Sequence, residues 1–252
     1  IDSFLVFNSG FDLMNGFYPF KDYWTIKEPF IDFIQAFFFK VFGVSWFSYV
    51  LHASVFNFII TLSTYYILRK FDLSKNLSFF YSLSVAILTY PTAGTPFSDH
   101  HTLILCTLSL YLFILAVKEN KNIYWFLIPI FLILGFFTKQ TPAAYFGILI
   151  SIITLLYFIS QFKKEIVITI FLSCLLIAII IFGLITLFEI PFKSILIQYF
   201  LFPMSLGETR LEWLLPFEFQ RFVLRHKLIY IALSIPIFLL IKNLFKSFKS
   251  II

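Results

Sequence analysis

The residues able to do chemistry in this 252-residue chain stand in a few segments between long apolar runs. The first segment holds Asp2, Asp12, Asp22, Lys27 and Glu28. The second is Pro91–His101, ending in Asp99, His100 and His101. The third is the tight turn Phe137-Thr-Lys-Gln-Thr-Pro142. The fourth, residues 189–227, carries Glu208, Arg210, Glu212, Glu218, Arg221 and Arg225. Carboxylates and cations gathered on one face of a bundle suggest a site at that membrane surface. A carboxylate there can take a proton in a transition state, and cations can stabilise developing negative charge. Arg suits bidentate contact with a phosphate and Lys supplies a point charge, so Lys139, Arg210, Arg221 and Arg225 are the candidate phosphate ligands. Glu218, Arg221 and Arg225 follow at i, i+3 and i+7, one stripe of a helix.

Each of these residues also has a plainer reading. Asp2 can be a solvated terminal residue and Asp22 a loop residue. Ser98 or Asp99 can cap a helix. Asp99-His100-His101 can instead contact substrate, bind metal or transfer a proton. Lys139 can simply extend its amine to the interface. No Gly-rich phosphate loop points to a bound nucleotide, and no HExxH or CxxC spacing points to zinc. No cofactor is assigned, and a divalent metal ion is left open.

The elements that must position these residues are membrane helices. Hydrophobic residues are 60% of the chain and charged residues 13%, with 38 Phe and a mean hydropathy of +0.94. A soluble domain has about 45–50% and about 25%. Disorder, collagen and a disulfide scaffold are excluded, the last because there are only two cysteines. The net charge of +6 belongs mostly to short loops between apolar runs, so it reads as contact with anionic lipid and not with nucleic acid.

The periodicity predicts an all-α, polytopic transmembrane bundle. Residues 1–45 form a loop with an amphipathic interfacial helix over 29–43, where Glu28, Asp32 and Gln35 share one stripe opposite a Phe-rich face. Spans follow at Trp46–Leu68, Asn76–Tyr90, Thr102–Val117, Ile123–Phe137, Pro142–Ser160 and Ile166–Phe188. Residues 189–227 read as a second loop with amphipathic helices. Residues 228–252 hold a weak seventh span, Leu228–Ile241, and a basic end. His52 and Asn57 are expected to hydrogen-bond between helices. If residues 1–45 lie outside, ten of the nineteen Lys and Arg fall inside and ten of the thirteen acids outside. This obeys the positive-inside rule, with Arg221, Arg225, His226 and Lys227 as the misfit.

The run Gly16-Phe-Tyr-Pro-Phe-Lys-Asp22-Tyr-Trp-Thr-Ile-Lys-Glu-Pro29-Phe, followed by a helix ending Phe-Gly43, resembles the first extracytoplasmic loop of GT-C glycosyltransferases. These include protein O-mannosyltransferases and lipid A aminoarabinose transferases. Gly135-Phe-Phe-Thr138-Lys139 resembles the G-x-x-x-T-K that closes a span in that family. The likeness covers about residues 1–160, and Glu28 departs from it, standing where many members have Gly or Pro. The resemblance implies a sugar donor on polyprenyl phosphate and an extracytoplasmic glycan, lipid or protein acceptor. It also implies that Asp2 is the general base, with Asp22 a second acid near the site. The expected location is a bacterial or archaeal plasma membrane with the site facing outward. A chain that starts at Ile1, just ahead of such an acid, reads as a fragment lacking its first transmembrane helix. The alternative is a transporter or flippase of a lipid-linked or small substrate. It predicts ionisable residues in mid-membrane, and the centres of these spans carry almost none.

Overall fold

The computed structural model describes residues 4–26, 28–91, 93–206, 223–224, 226–234 and 237–238. Asp2, Arg210, Arg221 and Arg225 lie outside the described residues. So does most of the 189–227 loop beyond Leu206, along with part of the weak seventh span. The chain divides into two compact units, Ile1–Phe202 and Pro203–Ile252. Among the described residues of the second, Leu228–Ile231 are exposed apolar positions on a short helix.

The first unit is all helix, with no strand among its described residues. Its elements are α1 (Leu5–Met14), α2 (Pro29–Phe42), α3 (Trp46–Lys70), α4 (Lys75–Thr89), α5 (Ser98–Glu119), α6 (Asn122–Thr138), α7 (Gln140–Ser160), α8 (Lys164–Leu187) and α9 (Phe192–Ile195). A π-helical turn, Leu196–Leu201, follows α9. The punctuation is local chemistry. Pro29 opens α2, where a missing N–H costs nothing, and Gly43 closes it at φ +79°. Ser45 and Ser48 form a reciprocal capping box on α3, and Ser74 caps α4. Asn120 ends α5 in the left-handed region.

Four helices are long and apolar enough to cross a membrane: α3, α5, α7 and α8. The first six expected spans each coincide with a helix, but α4 has 15 residues and α6 only 17. At 1.5 Å per residue these reach about 22 and 26 Å, short of a hydrocarbon core of about 30 Å. Pro129 lies inside α6. The outer faces of α7 and α8 expose Tyr145, Leu156, Phe171 and Phe182, as lipid contact requires. The two ends of the bundle differ. At one, Glu119 binds Lys70 at 2.8 Å and Lys121 at 2.7 Å, while Lys163 donates to Asn120 at 2.7 Å. This gathers three of the basic loops expected inside. The other end holds α1, α2 and the starts of α3, α5 and α7.

Candidate functional site

The site end is built from α1 outward. Ser9 and Gly10 are small, and they let α1 approach α2 closely. A Cβ on Gly10 would stand 2.6 Å from Gln35 Cγ, so no larger residue fits there without displacing α2. At this crossing Ser9 Oγ lies 2.5 Å from Asp32 Oδ1 and 2.9 Å from its own Leu5 carbonyl. The Ser9 hydroxyl donates to Asp32 and has its own helix carbonyl, Leu5 O, as a second acceptor within reach. The Tyr23 hydroxyl donates to the other Asp32 oxygen at 3.2 Å.

Asp32 is 2% exposed, and burial holds its carboxyl well above the usual carboxylate range. The nearby acids Glu28 and Asp12 push the same way, while the hydrogen bonds with Ser9 and Tyr23 pull against it. Burial and the neighbouring Asp32 also raise the Tyr23 phenol.

The polar stripe of α2 therefore faces into the protein. Glu28, Asp32 and Gln35 are all buried, while Phe37, Val41 and Phe42 are exposed. The amphipathic period is as expected, but the polar face meets α1, α3 and the 17–26 segment instead of bulk water. Glu28 takes φ +76° immediately before Pro29. That conformation is open to glycine and closed to proline. Glu28 N–H donates to Thr138 O at 3.0 Å, and Gln140 Nε2 donates to Ile26 O at 2.6 Å. The junction of α6 and α7 is thereby fastened to the start of α2.

That junction turns on Lys139, one extended residue between the two helices. Its Nζ meets Asp99 Oδ1 at 2.5 Å, with side chains 30% and 47% exposed. Asp99 sits in the first turn of α5, which starts four residues before the expected Thr102. Neither Ser98 nor Asp99 caps the helix. Phe97 holds the cap position without a side-chain bond. His100 is half-buried with its ring 5.9 Å from Phe97. Asp22 lies at an exposed turn and accepts the Tyr18 N–H at 2.7 Å. Deeper in, Gln35 Oε1 pairs with His52 Nδ1 at 2.9 Å, and the His52 and His101 rings are 4.8 Å apart. Asn57 bonds across to Ala86 O and Thr89 of α4. Among the described residues, no three of His, Cys, Asp and Glu gather as a metal site.

Asp99 and Lys139 are thus brought together, and Asp22 is held by its own turn. The network Ser9–Asp32–Tyr23 leaves a trace in the sequence, a polar stripe on an otherwise Phe-rich helix, but the stripe alone does not name its partners on α1 and the 17–26 segment. It makes a prediction. A carboxyl whose folded pKa is raised costs stability as pH climbs from its unfolded value of about 3.9, because the unfolded chain ionises more readily. Asp32→Asn keeps an acceptor for Tyr23 and a donor for Ser9. It is expected to be more thermostable than the parent at pH 7, with the gap closing toward pH 4. Asp32→Leu leaves the Tyr23 hydroxyl without its acceptor, while Ser9 keeps the Leu5 carbonyl, and should lose about 1–3 kcal/mol. Melting of the detergent-solubilised protein against pH measures both, and an Asn variant less stable at pH 7 would refute the upward shift of the Asp32 carboxyl.

The described residues form a polytopic helical bundle, with the Lys139–Asp99 pair at one end of it. The model of the family described as dolichyl-phosphate-mannose-protein mannosyltransferase matches residues 27–186, more than half of the chain. The chain belongs to this family of membrane glycosyltransferases. The matched segment runs from α2 to α8 and contains Asp99 and Lys139. No curated protein and no solved structure matches the chain at a significant level.

Proposed function

We propose that the protein transfers a sugar from a polyprenyl-phosphate carrier to a glycan, lipid or protein hydroxyl at the extracytoplasmic face of a bacterial or archaeal plasma membrane. The observation that carries this reading is the partly exposed Lys139–Asp99 pair, placed at one end of the bundle in a chain of this family. The acceptor hydroxyl attacks the anomeric carbon as the bond from that carbon to the phosphate oxygen breaks. The electron pair leaves on the phosphate, and the acceptor proton goes to a carboxylate. Asp2 is the proposed base and Asp22 a further acid near the site. Lys139, oriented by Asp99, meets the phosphate charge together with Arg210, Arg221 or Arg225, and His100 contacts substrate. The apolar outer faces suit an isoprenoid tail lying in the surrounding lipid.

The test is a transfer assay. The full-length protein in proteoliposomes, given a polyprenyl-phosphate sugar and an acceptor extract, should release free polyprenyl phosphate as sugar appears on the acceptor. Passage of the intact donor across the bilayer without release of free carrier would sink the proposal in favour of a flippase.

A further inference from the structure

In these helices Ser and Thr hydroxyls close on the carbonyl four residues back: Ser82 on Ser78 at 2.6 Å, Thr107 on Leu103 at 2.7 Å, Thr138 on Leu134 at 2.9 Å. Thr102 of α5 does not. Its hydroxyl has no hydrogen-bond partner, and neither does Ser98 Oγ one turn before it. The same holds for Nε2 of His101, Nε2 of His52 and Nε2 of Gln35. All five side chains are at most 1% exposed.

They also belong together. Ser98, His101 and Thr102 share one stripe of α5 at i, i+3 and i+4. The His101 ring meets that of His52, which Gln35 holds. An unpaired buried polar atom costs about 1–3 kcal/mol, so five at one helix junction describe a place that something else completes.

The chemistry narrows what that is. His101 Nδ1 lies 3.0 Å from Phe97 O, and a carbonyl only accepts. Nδ1 therefore carries the proton, and Nε2 presents a bare lone pair. His52 is in the same state if its Nδ1 donates to Gln35 Oε1. Two lone pairs and no cation repel a phosphate. A metal ion would find two imidazoles and no carboxylate or thiolate to complete its shell. The cluster offers acceptors in the imidazoles, a donor in the Gln35 amide, and two hydroxyls that do either. A group that both donates and accepts matches it.

We propose that Gln35, His52, Ser98, His101 and Thr102 form a buried site for hydroxyl groups, those of ordered water or of the transferred sugar. The sugar source rests on the transfer reading above, and the site itself does not. With the sugar as occupant, the first turn of α5 sorts the substrate by charge: Asp99 with Lys139 on the phosphate side, and Ser98, His101 and Thr102 on the neutral side.

Nitrogen-15 spectra of the histidine-labelled full-length protein in lipid nanodiscs test this, with His52 and His101 assigned through single His→Gln variants. Nε2 of both should resonate as hydrogen-bonded acceptors. If they do so before polyprenyl-phosphate-mannose is added and do not change on its addition, the occupant is water. If they move on addition, it is the sugar. Bare-acceptor or imidazolium signals in both conditions overturn the site. Thr102→Val gives a second measurement. Removal of an idle buried hydroxyl would leave the melting temperature unchanged or raise it, which also overturns the site, whereas loss of a ligand contact lowers it. Neither readout needs turnover, so a failed transfer assay does not decide them.

Discussion

Lys139→Met is expected to lower sugar transfer by about 10²–10³-fold, the usual effect of losing one preorganised charge-stabilising group. The fold should survive the change. The Lys139–Asp99 pair is partly exposed, and such pairs contribute only about 0–1 kcal/mol to stability. The junction of α6 and α7 has independent ties, through Thr138 O to Glu28 N–H and through Gln140 to Ile26 O. The loss should fall on kcat more than on KM, because negative charge on the phosphate grows as the glycosidic bond breaks. Lys139→Arg keeps a charge in a different shape and should recover part of the rate. Release of free polyprenyl phosphate from proteoliposomes gives the rates, and the melting temperature controls for folding. A Met variant within about twofold of the parent would assign Lys139 to interface anchoring instead.

The helices were readable from the sequence because lipid demands long apolar runs, and the six runs from Trp46 to Phe188 each became one helix. What one sequence could not supply was the direction of the polar faces. The stripe Glu28, Asp32, Gln35 has the period of an interfacial helix, and in water that stripe would face outward. Here it turns inward because α1 brings Ser9 to Asp32, and Gly10 leaves room for Gln35. These contacts join residues 23 or more apart, and periodicity says nothing about which distant element supplies the partner.

The start of α5 was misplaced for a related reason. Ser98, Asp99, His100 and His101 look like loop because they are polar, but Ser98 and His101 are buried against neighbouring helices and Asp99 is paired with Lys139. Asp99 and Lys139 were each picked out by residue type. Their pairing across 40 positions needed the packing of α5 on α6 and α7.

Asp2→Asn should cost more than any of these changes, roughly 10²–10⁴-fold in transfer, the range for removing a general base. Asn matches the carboxylate in shape and still accepts a hydrogen bond, but it cannot take the acceptor proton. Asp2 stands three residues before α1, and α1 is held by buried Val6, by Ser9 on Asp32 and by Gly10 against Gln35. Three measurements separate the readings. If Asp2 is the base, Asp2→Asn loses kcat with KM and melting temperature little changed, and Asp2→Glu recovers part of the rate. If Asp2 is a surface residue, all three values stay near those of the parent, and the base must be sought elsewhere. The double variant with Lys139→Met sharpens the result. Both groups would act on one transition state, at its proton and at its phosphate, so their combined loss should fall short of the product of the single losses. Multiplicative losses would mean that Asp2 and Lys139 contribute independently and do not act as a unit.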